Sequence, residues 1–299
     1  MTDVAISTIG LAKHYGDLVA LDGVDLEVPA GVVFGFLGPN GAGKSTLIRL
    51  LVGLLQPTSG SAQVLGHDIV SDRLALHRDI GYLPGDFVAD KHLTAGAYLD
   101  HLARLRGGVD SAETQSLIER FGLRTDKVFG SLSHGNRQKV GLVQAFMHRP
   151  PLVLLDEPTQ GLDPLMQREF IDVVRDYRDA GNTVFLSSHV LSEVQALADR
   201  VAIVRDGRLV MNAGVDELRA AARHHVEVTL EDRSDRAVAA LEGLESVREV
   251  RNVGGTTSFT VEGSMADVLE RMAPLSVERF VSAEVDLADL FLSYYGDES

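Results

Sequence analysis

Nine residues, GPNGAGKST (38–46), fit the spacing G-x-x-x-x-G-K-[ST] through Gly38, Gly43, Lys44 and Ser45. Glycines at 38, 41 and 43 let backbone N–H groups turn inward around a phosphate. A helix opening at Lys44 aims the positive end of its dipole at the same anion. Lys44 supplies a point charge for terminal phosphates and Ser45 a hydroxyl for Mg²⁺, while Pro39, Asn40, Gly41, Ala42 and Thr46 complete the loop. The context agrees with the chemistry. The loop follows an apolar run, GVVFGFLG (31–38), that reads as a buried strand. It precedes Leu47, Leu50, Leu51 and Leu54, spaced as one face of a helix.

A second group of residues lies farther along. PLVLLDEP (151–158) is an apolar run that ends in Asp156 and Glu157. An acid at the carboxyl end of a buried strand suits Mg²⁺ or its water, and a neighbouring acid can polarise an attacking water. Taken alone, an Asp-Glu pair better describes a solvated turn; after a buried apolar strand downstream of the 38–46 loop, that reading is the weaker one. His189 follows the strand-like TVFLSS and can contact a γ-phosphate or simply open a helix. LSHGNRQKV (132–140) holds no acid and no nucleophile. Its polar core, Ser133, His134, Gly135, Asn136 and Gln138, leads into an apolar helix expected over 137–148. Such a stretch suits an anion arriving from outside, or an ordinary helix capped by Ser133.

The elements that would position these residues alternate strand, helix, strand, which predicts an α/β domain with a parallel sheet. Residues 3–28 read as short strands with turns at HYGD and LDGVD. Residues 92–123 read as mostly helical, with Leu99, Leu102 and Leu105 marking one helix and Leu117, Ile118 and Phe121 another; 165–179 and 190–198 read as helices too. RVAIVRDGRLVMNAG (200–214) reads as a hairpin turning at Asp206-Gly207. From about 225 the pattern becomes β-α-β-β-α-β, consistent with a small ferredoxin-like α+β domain, closed by an aromatic helix, LADLFLSYYG.

Composition narrows the setting. With 299 residues at 45% hydrophobic, the chain suits one main domain and a smaller one. There are no cysteines, which removes disulfides and thiolate metal sites and fits a reducing compartment. No signal peptide is expected from MTDVAISTIG, and no apolar run approaches the ~18 residues of a membrane helix. The net charge is −15, and residues 225–299 hold sixteen acids against six Arg. Such a surface repels nucleic acid, so no nucleic-acid partner is expected.

In order, these motifs resemble the nucleotide-binding subunits of ATP-binding cassette (ABC) transporters. GPNGAGKST is similar to the Walker A stretch, LVLLDE to Walker B, LSHGNRQ to the signature, GLDP with Asp163 to the D-loop, and SSH with His189 to the switch histidine. The resemblance covers about 4–222. It implies a P-loop NTPase (RecA-like) parallel sheet with an antiparallel β subdomain and a helical signature subdomain over 1–222, and an accessory domain over 225–299. It implies ATP and Mg²⁺ as cofactors, with Lys44 and Ser45 on phosphates and metal, Asp156 in the metal shell, Glu157 as base and His189 as γ-phosphate sensor. Tyr15 would stack on adenine, though an ordinary hairpin aromatic is the other reading. Two cassettes would meet head to tail, Ser133, Gly135 and Asn136 of one covering ATP on the other.

Two departures stand out. His134 and Asn136 occupy signature positions where the family has Gly and Gln. Gly85, in IGYLPGDF (80–87), stands where the family has the Q-loop glutamine, with Asp86 the nearest polar replacement. The variants of these motifs look like the ABC-2-type drug and antibiotic exporter branch, which implies a multidrug, antibiotic or lipid-like substrate. That implies a separate integral-membrane permease docked near 85–125 and a location on the cytoplasmic face of the cell membrane. A soluble ABC ATPase for assembly, and a monomeric P-loop kinase or GTPase, are the competing readings.

Overall fold

The computed structural model describes residues 3–217, 223–262 and 264–284. The chain divides into two compact units, 1–213 and 214–299, earlier than the change of character read near 225. Three runs buried at every residue, β3 (Val33–Leu37), β7 (Leu152–Asp156) and β8 (Thr183–Ser188), form the middle of the first unit's larger sheet. With β6 (Ile80–Leu83), β9 (Arg200–Arg205) and β10 (Arg208–Gly214) the order is β10-β9-β3-β8-β7-β6. Pairing is parallel from β9 to β6. Strands covered on both faces need no polar alternation, hence their continuous apolar runs. Asp206 and Gly207 both take left-handed φ, 49° and 76°, and turn β9 into β10. This order makes neighbours of the carboxyl ends of β3, β7 and β8. It thereby gathers the 38–46 loop, Asp156-Glu157 and His189.

A second sheet, antiparallel, has the order β2-β1-β4-β5. Its strands are β1 (Val4–Tyr15), β2 (Leu18–Pro29), β4 (Ser59–Val64) and β5 (His67–Asp68). Residues 3–28 are therefore two long strands, with a turn at HYGD but none at LDGVD. There Leu11 pairs with Val24 and Lys13 with Leu21, so β2 carries an extra residue and absorbs Gly23 as a bulge. Between the two sheets lies α1 (Lys44–Leu51), whose Leu47, Ile48, Leu50 and Leu51 join a core with Ile6, Val24, Phe34, Phe36 and Phe185. The helix stops before the expected Leu54. Gly53 takes φ 73° and its N–H turns back to the Leu50 carbonyl, which leaves Leu54 56% exposed.

The remaining helices of the unit are α2 (Arg73–Asp79), α3 (Ala95–Leu105), α4 (Ser111–Arg120), α5 (His134–Phe146), α6 (Pro164–Asp179) and α7 (Leu191–Leu197). The two helices expected within 92–123 are α3 and α4, although Phe121 lies just past the end of α4. Edge-on packing of Phe87 against Tyr98 and Phe129 anchors α3. The helix expected over 137–148 begins earlier, at His134, because Ser133 caps it by accepting the Asn136 N–H.

The second unit contains β11 (Arg223–Leu230), α8 (Arg236–Leu241), β12 (Val247–Val253), β13 (Thr256–Glu262), α9 (Ala266–Met272) and β14 (Val277–Glu284). The sheet order is β12-β13-β11-β14, antiparallel throughout. That is the ferredoxin-like order, with Val226, Val228, Leu241, Phe259, Val268 and Met272 in its own core. The expected aromatic helix at 287–296 lies outside the described residues. Among the described residues no helix is long and apolar enough to cross a membrane.

Candidate active site

A cleft of about 340 Å³ opens above α1. Its wall is formed by Pro39, Asn40, Gly41, Gly43, Lys44, Ser45 and Thr46 of the loop, by Tyr15, Leu18, Val19 and Ala20, and by Glu157. Gly38 and Ala42 lie behind this wall: the Gly38 N–H donates to the Ser188 carbonyl at 3.3 Å, and the Ala42 carbonyl accepts from the Gly207 N–H at 3.2 Å. Gly43 admits no substitute. Its φ is 104°, and a Cβ there would sit 2.4 Å from the Ala20 carbonyl oxygen. Tyr15 is 45% exposed at the cleft mouth, with the Lys13 ammonium 5.1 Å from its ring centre.

The catalytic candidates meet through Glu157. Its Oε1 lies 3.2 Å from Lys44 Nζ and its Oε2 2.8 Å from His189 Nδ1. Lys44, 6% exposed, also donates to the carbonyls of Gly38 at 2.7 Å and Pro39 at 3.1 Å. A buried ammonium requires this many acceptors. Glu157 holds a left-handed φ of 50°, which costs a non-glycine residue about 1 kcal/mol or more. Its neighbours hold it there. The Ser187 hydroxyl donates to Asp156 Oδ1 at 2.7 Å and accepts the Glu157 N–H at 3.1 Å. Gln138, buried in α5, donates from Nε2 to the carbonyls of Glu157 and Pro158, both at 3.1 Å.

The signature residues stand apart from this group, at the exposed start of α5. Ser133 Oγ accepts from the Asn136 backbone N–H at 3.3 Å and from its side-chain amide at 2.9 Å. Gly135 packs so closely that a Cβ there would fall 2.3 Å from the Gly161 carbonyl oxygen. His134 lies over Gly161 in turn. Asp163 spends its carboxylate on capping α6, with Oδ1 accepting from Leu165 and Met166 N–H at 3.0 Å. At the Q-loop position, Gly85 lies against Asp156: a Cβ there would be 3.3 Å from Oδ2. Asp86 beside it is exposed.

Asp156 is 1% exposed, and its charge is felt nearby. Burial first, and Asp156 second, push the Tyr82 phenol above its ordinary pKa. Among the described residues no three acids or histidines cluster to hold a metal unaided. A single carboxylate and a hydroxyl are what Mg²⁺ takes when phosphate oxygens fill its other positions, so Ser45 and Asp156 fit that ion.

The ABC transporter family model matches residues 21–160. The daunorubicin/doxorubicin resistance ATP-binding protein DrrA of Streptomyces peucetius is 40% identical over 79% of this chain and 73% of its own. The chain belongs to the ATP-binding subunits of ABC transporters. The cassette is also 36% identical to the bacitracin transport ATP-binding protein BcrA of Bacillus licheniformis, over 78% of this chain and 77% of that one. Among solved structures, an ATP-binding subunit of an ABC transporter superposes with a TM-score of 0.67 at 29% identity, covering 72% of this chain and 92% of its own. A dimeric cassette with ADP and Pi shares the fold at a TM-score of 0.64 and 22% identity, over 70% of this chain and 98% of its own.

Within the cassette, the sequence did not single out Ser187 or give Gln138 a task. Each left a trace. Gln138 shares a buried helical face with Gly141, Leu142 and Ala145, and a polar residue on such a face must find partners. Ser187 is a hydroxyl residue buried near the end of β8, where it too must find a partner.

Proposed function

We propose that this cassette is the ATP-hydrolysing subunit of an exporter of antibiotic-like or other drug-like molecules, driving a separate membrane permease. The observation that carries the hydrolytic part is the Glu157 carboxylate, held between Lys44 and His189 one residue from Asp156. When the terminal phosphates of ATP take the Lys44 ammonium, Glu157 Oε1 is released to accept a proton from the attacking water. Its Oε2 stays on His189, and that ring donates from Nε2 to the γ-phosphate when both of its nitrogens carry a proton. Ser45 and Asp156 hold Mg²⁺, which when bound neutralises charge on the phosphates. Tyr15 carries the adenine ring.

The exposed start of α5 covers the γ-phosphate held by a second copy, with Ser133, Gly135 and Asn136 as donors and Asp163 close by in the D-loop. Residues 225–299 form an accessory domain. The permease docks at a cleft of about 270 Å³ lined by Val52, Leu54, Ile80, Leu102 and Arg106, and it keeps the cassette on the cytoplasmic face of the membrane. The drug-resistance and bacitracin-transport relatives support the substrate class.

A pull-down of tagged Glu157→Gln protein with ATP from detergent-solubilised host membranes tests this. A polytopic membrane chain in near-equal amount is expected, and it should be lost on Leu54→Asp. Recovery of soluble partners alone would move the function to assembly or regulation.

A further inference from the structure

One carboxylate outside the residues given a role above joins the two chain segments that carry Glu157 and His189. Glu193 stands in the first turn of α7. Its Oε2 accepts the Thr159 hydroxyl at 2.6 Å and the Ser188 hydroxyl at 3.3 Å. Thr159 follows Glu157 by two residues, and Ser188 directly precedes His189. Both hydroxyl residues are buried. Ser188 Oγ also accepts the Val190 N–H at 2.9 Å, which closes the chain around His189.

Glu157 needs such support. Its left-handed backbone persists only where the surroundings over-determine it. Ser187 fixes the side of its amide, and Glu193 fixes the chain beyond it. Packing does not explain the carboxylate. Glu193 borders a cavity of about 160 Å³ walled by Phe170, Leu186 and Leu197, so the space around it is already incompletely filled.

We infer that Glu193 is a positioning residue for hydrolysis: by holding the Thr159 and Ser188 hydroxyls on one oxygen, it keeps Glu157 and His189 in register. The inference rests on the ATPase reading above. In this role Glu193 touches neither nucleotide nor water. It belongs to the rate of the chemical step and not to the binding of ATP.

Steady-state turnover tests it with Glu193→Ala, Glu193→Gln, Thr159→Val and Ser192→Ala, each assayed across a range of MgATP. Glu193→Ala and Thr159→Val should lose about tenfold or more in kcat with KM within about twofold, since they remove transition-state geometry alone. Glu193→Gln keeps an acceptor oxygen and should stay within about threefold of the unaltered chain. Ser192→Ala, on the wall of the same cavity, should change nothing. The Thr159→Val/Glu193→Ala pair should be no slower than Glu193→Ala, because both remove one connection.

An unchanged kcat in Glu193→Ala would overturn the inference, as would a raised KM with kcat kept. So would a loss that Glu193→Gln fails to rescue. A readout independent of turnover is nitrogen NMR of the His189 imidazole in the nucleotide-free protein. Its Nδ1 should lose the hydrogen-bonded shift in Glu193→Ala, and an unmoved signal would overturn the inference. No turnover in the unaltered chain, with the Nδ1 shift still moving, would remove the ATPase reading and leave the Glu193 clamp standing.

Discussion

At the scale of single residues, Glu157 is where the site's electrostatics converge. It balances the buried Lys44, orients His189, and occupies a backbone conformation few glutamates take. Glu157→Gln keeps the shape and still donates or accepts hydrogen bonds, but it cannot take a proton from water. Phosphate release should therefore fall about a hundredfold or more, while binding of a fluorescent ATP analogue stays within a few-fold. Turnover near that of the unaltered chain would mean another group is the base. Most of this site was legible in the sequence, because phosphate chemistry fixes residue types at fixed spacing. Lys44, Glu157 and His189, singled out by that spacing, meet in the structure. What spacing does not encode is who holds them. Ser187, Gln138 and Glu193 act through a hydroxyl, an amide and a carboxylate that many residue patterns contain.

At the scale of elements, several side chains serve as structure and site at once. Asp163 caps α6 beside Pro164 at the helix's first position. Asp163→Ala should lower unfolding stability by about 1 kcal/mol in denaturant titration, whatever it does to turnover. Stability unchanged to within error would mean the cap is redundant with Pro164. His148 guards the seam between α5 and β6, its Nε2 donating to the Ile80 carbonyl at 3.1 Å. Burial first, and the Arg106 charge second, push its pKa down from 6.5 to about 4. The unfolded chain thus takes up a proton from about pH 6.5 while the folded chain resists until about pH 4. Its contribution is fully present above pH 6.5 and is lost as pH falls between these values. His148→Gln should flatten the fall in Tm across that window; an identical slope would place the titration elsewhere. Element boundaries were the least legible part. Asp22-Gly23 has turn composition, yet burial of Leu21, Val24 and Leu26 carries β2 straight through it as a bulge. The leucine spacing that reached Leu54 ignored Gly53, whose left-handed φ ends the helix first.

At the scale of the whole molecule, the residues proposed to cover ATP lie at the exposed start of α5, away from the chain's own cleft. In the proposed head-to-tail pair, one copy would offer half of each complete site. Glu157→Gln protein with MgATP should run at twice the monomer mass in light scattering, and Ser133→Arg in the same background should return it to monomer. A monomer in both cases would count against the head-to-tail arrangement.

Gln138 sets a further property of such a pair. Its single amide binds the carbonyls of Glu157 and Pro158, while its helix carries Ser133 and Gly135 at the other end. In the proposed pair, the lid over one copy's nucleotide would thus be fastened to the proposed base of its own. In a closed pair the two fastenings form a loop: each base, its lid, the neighbour's nucleotide, the neighbour's base. Two sites joined this way do not fire independently, and turnover should rise with ATP at a Hill coefficient above about 1. Gln138→Leu cuts both links at once without removing any group from the phosphates. It should turn a sigmoidal response into a hyperbolic one before it abolishes the reaction. A Hill coefficient that Gln138→Leu leaves unchanged would show the two sites talking by another route.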